Sequence, residues 1–205
     1  MKKGYIVLIA VVVFILIIFS WVKGKYNNMV VADEAVTSQW QQVSVEYQRR
    51  LDLIPNLVST VQGYANFEKS TLTDVINARA NATKVTIDPS HLDAASMQQF
   101  QQAQAQVSSS LSRLLVSVEQ YPDLKADQNF MALQTQLEGT ENRISVARKR
   151  FNDTAKGFNQ YVRTFPNNIF AGMFGMQTRA YFEADAAAST APKVSFPDNK
   201  DGKKN

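Results

Sequence analysis

Hydrophobic and polar positions follow two different regimes along this chain. Residues 5–22 read YIVLIAVVVFILIIFSWV, with no formal charge and no recurring polar face. From Tyr26 onward, apolar residues instead return at alternating steps of three and four, the spacing of a single helix face. With Gly4 included, the first run is about 28 Å long as a helix, close to the hydrocarbon thickness of a bilayer. Lys2 and Lys3 flank one end, Lys23 and Lys25 the other, and Trp21 sits where an interfacial aromatic belongs. A cleaved signal peptide would share the basic start, but its apolar stretch is shorter and ends in a small-x-small site. Ser20-Trp21-Val22-Lys23 offers no such site. The run therefore predicts an uncleaved transmembrane anchor. Four residues lie on its far side and no second run of this length follows, so a single-pass protein is expected with its bulk on one side, signalling only through a partner.

The second regime predicts long helices. The first carries Tyr26, Val30, Val36, Trp40, Val43, Tyr47, Leu51 and Ile54, continuing with Val58, Val61 and Ala65 beyond a proline. The second has Met97, Phe100, Gln104, Val107, Leu111, Leu114, Val118 and Tyr121, a ladder with one polar rung. Phe130, Leu133, Leu137, Thr140, Ile144, Ala147, Phe151, Thr154, Phe158 and Tyr161 form the third. Such sustained spacing predicts an all-α fold: an N-terminal transmembrane helix, then an elongated antiparallel bundle of three to four long helices standing off the membrane. No stretch alternates with period two. Pro55 predicts a kink or break, since it lacks an amide donor and its ring clashes with the preceding turn. Breaks are also expected at Asp88-Pro89-Ser90, Tyr121-Pro122-Asp123 and Phe165-Pro166-Asn167-Asn168. The glutamine-rich residues 98–106 keep register with Phe100 and Val107, so they read as a solvated helix face. The expected organisation is a flank at 1–4, the anchor at 5–22, a bundle over 23–183 and a disordered tail over 184–205, where Ala, Ser, Thr, Pro, Asp and Lys take over.

Composition narrows the chemistry. Beyond the anchor, roughly 180 residues suffice for one sizeable core. The absence of cysteine excludes disulfides, thiolate metal sites and cysteine nucleophiles. A net charge of +4, with basic and acidic residues interspersed, lacks the concentrated basic stripe of a nucleic-acid binder. The single histidine, His91, follows Asp88-Pro89-Ser90 at a helix start, where an exposed first-turn residue is expected; a catalytic triad or zinc site needs more convergent groups. The eight glycines are scattered and form no phosphate loop. Asp52, Glu68, Glu138 and Glu141 can meet as paired carboxylates only if the fold converges them; helix-face acids more commonly pair with Lys or Arg. No cofactor, metal or catalytic residue is expected, and the chain does not read as an enzyme.

Polar residues near the helix seams are the candidate interaction or structural motif. Residues 49–58, RRLDLIPNLV, set Arg49, Arg50 and Asp52 beside Pro55, with Asn56 placed to cap a restarted helix. A kink frees carbonyls, and Arg or Asn side chains can supply the missing donors. Glu141, Asn142 and Arg143 similarly flank a core position between Thr140 and Ile144. Two roles compete: an interhelical ion-pair network that fixes register, or a polar surface read by a partner. At the C-terminal edge, residues 169–176 combine Phe and Met with two glycines. This stretch is expected to fold back over the open end of the bundle, the alternatives being partner binding or dipping into a membrane interface. Val194-Ser195-Phe196 is a weaker docking element.

The decapeptide at 49–58 closely resembles the signature of the LemA family of bacterial membrane proteins. Tyr26-Asn27, Gly63-Tyr64-Ala65, Glu68, Ala78-Arg79, Tyr121-Pro122, Leu124-Lys125-Ala126, Glu141-Asn142-Arg143-Ile144, Ala147-Arg148, Phe151-Asn152, Asn159 and Phe165-Pro166 extend the resemblance over residues 26–182. Phe151 stands where the family often has tyrosine, a loss of one hydroxyl. The resemblance implies an N-terminally anchored helical bundle and supplies no reaction. The expected function is a membrane-tethered interaction or scaffold protein in cell-envelope maintenance or signalling. Its expected partners are the lipid bilayer, through residues 5–22, and an unidentified protein or a second copy of the chain, without nucleic acid. A small-ligand sensor bundle and an envelope hydrolase using bundle carboxylates are the alternatives. The bacterial cytoplasmic membrane is the expected location. Lys2, Lys3 and the amino terminus against Lys23 and Lys25 tip the bundle toward the extracytoplasmic side.

Overall fold

A computed structural model describes residues 2–64 and 67–183, apart from the side chains of Lys2 and Lys3. The expected tail at 184–205, Val194-Ser195-Phe196 within it, and Ala65 lie outside the described residues. Six helices follow one another: α1 (Lys2–Gln62), α2 (Lys69–Lys84), α3 (Ala94–Val118), α4 (Pro122–Lys125), α5 (Gln128–Arg163) and α6 (Asn167–Phe174), with no strand among the described residues. The all-α bundle expected from the spacing is present.

At 61 residues, α1 is about 90 Å long and links both regimes of the sequence in one rod. Its first third is bare. Large apolar side chains between Tyr5 and Trp21 are 44–68 % exposed, whereas Met29, the first core residue, is fully buried. A core helix would hide such residues, and a water-soluble surface does not present them contiguously. Within α1 the most apolar stretch has a mean hydropathy of 3.1, long and apolar enough to cross a membrane.

The break expected at Pro55 does not occur, for α1 continues through it to Gln62. Proline removes the amide that would bond the Leu51 carbonyl four residues earlier. Arg79 of α2 supplies the replacement, its Nε donating to that carbonyl at 2.9 Å. Asn56 consequently has no helix start to cap; it is exposed, and its carbonyl accepts the Thr60 hydroxyl at 2.9 Å. Replacing Arg79 with methionine should strand the Leu51 carbonyl and cost about 1 kcal/mol. The loss should shrink when Pro55 is also changed to alanine, which restores the main-chain donor; equilibrium urea unfolding of the four variants checks this.

Partners across the long helices give the topology. Trp40 meets Phe151, Glu46 meets Arg143, Arg50 meets Glu141 and Tyr64 meets Asp127, so α5 descends as α1 rises. A shorter pair, α2 and α3, packs alongside, with Asp74 facing Arg113. The α2 face is Leu72, Val75, Ala78 and Ala82, spaced by three, three and four. On α3 the heptad ladder from Met97 to Val118 is buried as its spacing predicts, while Gln98, Gln99, Gln102 and Gln106 face solvent. The ladder on α5 drifts at its end: Ala155 and Val162 are buried where Thr154 and Tyr161 are partly exposed. A helix turns 3.6 residues per turn, so a strict seven-residue repeat slips off a straight contact line.

The core is divided. A span-proximal half holds Met29, Val36, Trp40, Val43, Tyr47, Phe100, Ile144, Phe151, Phe158 and Phe182. The distal half holds Leu51, Ile54, Leu57, Val61, Leu72, Val75, Leu114, Leu124 and Phe130. Arg50, Gln104 and Thr140, three of the few buried polar residues, lie between them.

Candidate interaction site at the waist of the bundle

Arg50 falls on the inward stripe of α1, one turn from Tyr47 and one from Ile54, where an apolar residue is the rule. It is 3 % exposed. Its Nη1 donates to Glu141 Oε2 at 2.9 Å and to Ser108 Oγ at 2.8 Å. Nη2 donates to the side-chain carbonyl of Gln104 at 2.7 Å and to its main-chain carbonyl at 3.3 Å. The guanidinium also lies 5.1 Å from the centre of the Tyr47 ring. Nε is buried without a partner. One side chain on α1 thus ties α3 to α5, and the polar rung Gln104 is its main acceptor. Glu141 remains 58 % exposed, so solvent reaches one side of the pair. Beside it opens a cleft of about 260 Å³ lined by Tyr47, Arg50, Gln101, Gln104, Ala105, Ser108, Glu141 and Arg148.

The other sequence-selected residues do not converge there. Helix geometry turns Arg49 and Asp52 outward while Arg50 points in, so the three do not gather against Pro55. Arg49 donates to Glu46 at 3.2 Å, and Arg143 donates to the other oxygen of Glu46 at 3.0 Å. Glu46, 17 % exposed and absent from the sequence candidates, therefore bridges α1 and α5. Asp52 accepts a bond from Gln48 at 2.7 Å. Pro55 and Asn56 are exposed, and Asn142 borders a shallow groove with Gln42, Glu46, Arg143 and Arg150. The four carboxylates considered for hydrolysis have separate partners: Gln48 for Asp52, Ser70 for Glu68, Gln134 for Glu138 and Arg50 for Glu141. That is the pattern of helix-surface acids, not of two carboxyls sharing a proton. Among the described residues no group of three or more His, Asp or Glu is placed to hold a metal.

His91 lies in the exposed turn before α3, and Asp93, not His91, caps that helix by accepting from Ser96 N at 2.8 Å. Bonds from Ser90 and then His91 pull the Asp88 carboxyl down to about 2. Asp127 is also lowered, first by the Phe130 amide it caps, while burial and its bond to Asp127 raise the Tyr64 phenol.

The largest feature that the sequence did not disclose is a strap after α6. Asn159 holds Arg179 by both main-chain groups, at 2.7 and 2.8 Å, and Asn152 holds Phe182 in the same way, at 2.9 Å each. The two asparagines are seven residues apart on α5 and share a face. Arg179 closes the strap with paired bonds to Asp33, at 2.6 and 2.9 Å. Phe182 is buried against Trp40, Phe100 and Phe151.

Comparison with known proteins agrees with the resemblance carried by residues 49–58. "Protein LemA" of Metamycoplasma hominis is 23 % identical over 183 residues, 89 % of this chain and 80 % of that protein. "Magnetosome protein MamQ 2" of Paramagnetospirillum magneticum is 25 % identical over 184 residues, 81 % of this chain and 67 % of the relative. "Magnetosome protein MamQ" of Magnetospirillum gryphiswaldense is 24 % identical over 184 residues. The sequence model of the LemA family matches residues 39–196, from the turn of α1 that carries Trp40 through the strap and beyond it. With one helix among the described residues long and apolar enough to cross a membrane, and with its all-α bundle, this membrane-associated chain belongs to the LemA family.

Proposed function

We propose that the chain is a non-catalytic scaffold of the bacterial cytoplasmic membrane that acts through a protein partner or a second copy of itself. Residues 5–22 cross the bilayer, and the bundle stands on the extracytoplasmic side. The observation that carries this reading is the continuity of α1: the helix that leaves the apolar stretch becomes, without a break, the central helix of the bundle. A partner seated on the bundle is thereby held at a fixed height and orientation. A flexible linker would be the natural design for a domain that only needed retention.

Photocrosslinkers at the exposed positions Gln42, Asn142 and Val146, in native membranes, should yield a defined adduct with a protein or with a second copy. Changing Arg49 and Asp52, which are exposed, should weaken it if they belong to the contact. Recovery of monomer alone from all three positions, under conditions that trap a known complex, would sink the scaffold reading. A single cysteine at Ser38, probed in whole cells with an impermeant thiol reagent, reports the side.

A second reading, a small-ligand sensor, is favoured by the cleft at Arg50 and by the unpartnered Nε beneath it. It requires a thermal shift with a hydrogen-bonding envelope metabolite that disappears when Ala105 is enlarged to fill the cleft.

A further inference from the structure

The turn after α5 and the outer face of α6 carry apolar side chains with no cover. Phe165 is 76 % exposed, Ile169 52 % and Met173 71 %. They recur at steps of four, on a face different from the one that buries Asn167 and Ala171 against the bundle. A bundle closing its end for its own stability would turn these residues inward. The expectation that this stretch folds back over the bundle is met only by its other residues.

Where that face sits identifies its occupant. Phe170 packs edge-on against Trp21 at 5.3 Å, and Phe174 packs edge-on against Tyr26 at 4.8 Å. These pairs set α6 against the stretch of α1 between Trp21 and Tyr26, where the apolar run gives way to the bundle, and Asn167 Nδ2, donating to the Tyr161 carbonyl at 3.1 Å, keeps the turn bearing Phe165 at that same end of the bundle. The exposed apolar face thus lies at the end of the bundle from which the bare stretch of residues 5–22 emerges. Cations border it: Lys25, whose Nζ lies 5.8 Å from the Trp21 ring, and Arg163 in the last turn of α5.

We propose that Phe165, Ile169 and Met173 form a second membrane-inserting element, a wedge seated in the headgroup and outer acyl region of the same phospholipid bilayer that residues 5–22 span. The inference rests on the membrane-spanning reading of that stretch. Apolar side chains at the interface bind by burying area, and neighbouring cations favour anionic headgroups. A single helix leaves a bundle free to tilt and rotate about it. A lateral second contact fixes both and determines which bundle face points away from the membrane.

The chain has no cysteine, so single labels are straightforward. The full-length protein would carry a cysteine in turn at Ile9, Phe165, Ile169 and Asn142, each labelled with the polarity-sensitive fluorophore NBD. Reconstitution would use phosphatidylcholine–phosphatidylglycerol vesicles with and without brominated acyl chains. Labels at 165 and 169 should emit at shorter wavelength than the label at 142 and be quenched by brominated lipid, as the label at 9 is. Emission and quenching at 165 and 169 that match position 142, while position 9 is quenched, would overturn the wedge and leave the span intact. Loss of quenching at 9 as well removes both readings. A short-wavelength emission at 165 that brominated lipid leaves unquenched overturns the proposal in favour of a protein contact.

Discussion

Trp40→Ala should be the most damaging single change outside the membrane-spanning stretch, lowering stability by about 3–5 kcal/mol, the usual cost of truncating a buried tryptophan or phenylalanine. Trp40 is 2 % exposed and meets three rings at once: Phe100 of α3 at 5.2 Å, Phe151 of α5 at 5.7 Å and Phe182 of the strap at 5.9 Å. Phe100 and Phe151 touch it edge-on and Phe182 stacks, so alanine removes packing from three elements and from their favourable ring geometry. The cavity would sit beneath the strap, which keeps its polar holds, among them the asparagine pairs, the Arg179–Asp33 bonds and the Ala180 amide on the Leu92 carbonyl. Two measurements check this. Urea unfolding of the full chain in detergent should show the midpoint falling steeply, and trypsin should cut after Arg179 faster than in the parent protein. Trp40→Phe should retain most of the stability, since it keeps a ring in the site. If Trp40→Ala unfolds within 1 kcal/mol of the parent, the aromatic cluster is not the span-proximal core described above.

The strap explains why part of the fold was illegible in the sequence. Periodicity reports helices because their buried faces recur. Arg179 and Phe182 belong to an extended segment whose own main-chain groups at those two residues bond to side chains on α5, and no spacing rule marks that. The only trace was the residues themselves: Asn152 and Asn159 stand on a helix face one position from Phe151 and Phe158, where an amide is costly unless it has a main-chain partner. Pro55 misled for a related reason. Its effect on α1 was read from the local chain, whereas the compensating donor, Arg79, comes from another helix. By contrast the apolar stretch, the α3 ladder, the rung at Gln104 and most of the other two ladders needed only local spacing; Tyr26 and Val30 of α1 are exposed and the α5 ladder drifts at its end. Arg50 and Glu141 were both named from sequence, but nothing local could show that Gln104 and Ser108 complete their network.

That network yields the second large effect, and it separates an ion pair that stabilises from one that specifies. Glu141→Ala removes the only anion that, among the described residues, bonds a guanidinium 3 % exposed. Breaking a fully buried pair costs about 3–5 kcal/mol, but Glu141 is largely in water and Arg50 keeps Ser108 and Gln104. A loss of about 2 kcal/mol is therefore expected, discounted for that exposure. Arg50→Met should cost a similar amount for a different reason: the aliphatic stem is replaced, but the Gln104 side-chain carbonyl loses its donor at the divide between the two core halves. The double variant should lose less than the sum of the two, because once the guanidinium is gone Glu141 has no buried charge left to balance. Adding Gln104→Leu removes the buried side-chain acceptor left unpaired and should recover stability toward the parent value. If it does, the two core halves can fuse into one apolar column, and the polar waist holds α1, α3 and α5 in register at a cost in stability. Register is then the property to measure in the triple variant. Disulfide trapping between cysteines at Glu46 and Arg143, which face each other across α1 and α5, should be efficient in the parent background and fall where the apolar column lets the helices slide. Undiminished trapping in a stabilised triple variant would remove the register role from Arg50 and leave the adjoining cleft as the reason for a buried charge at that position.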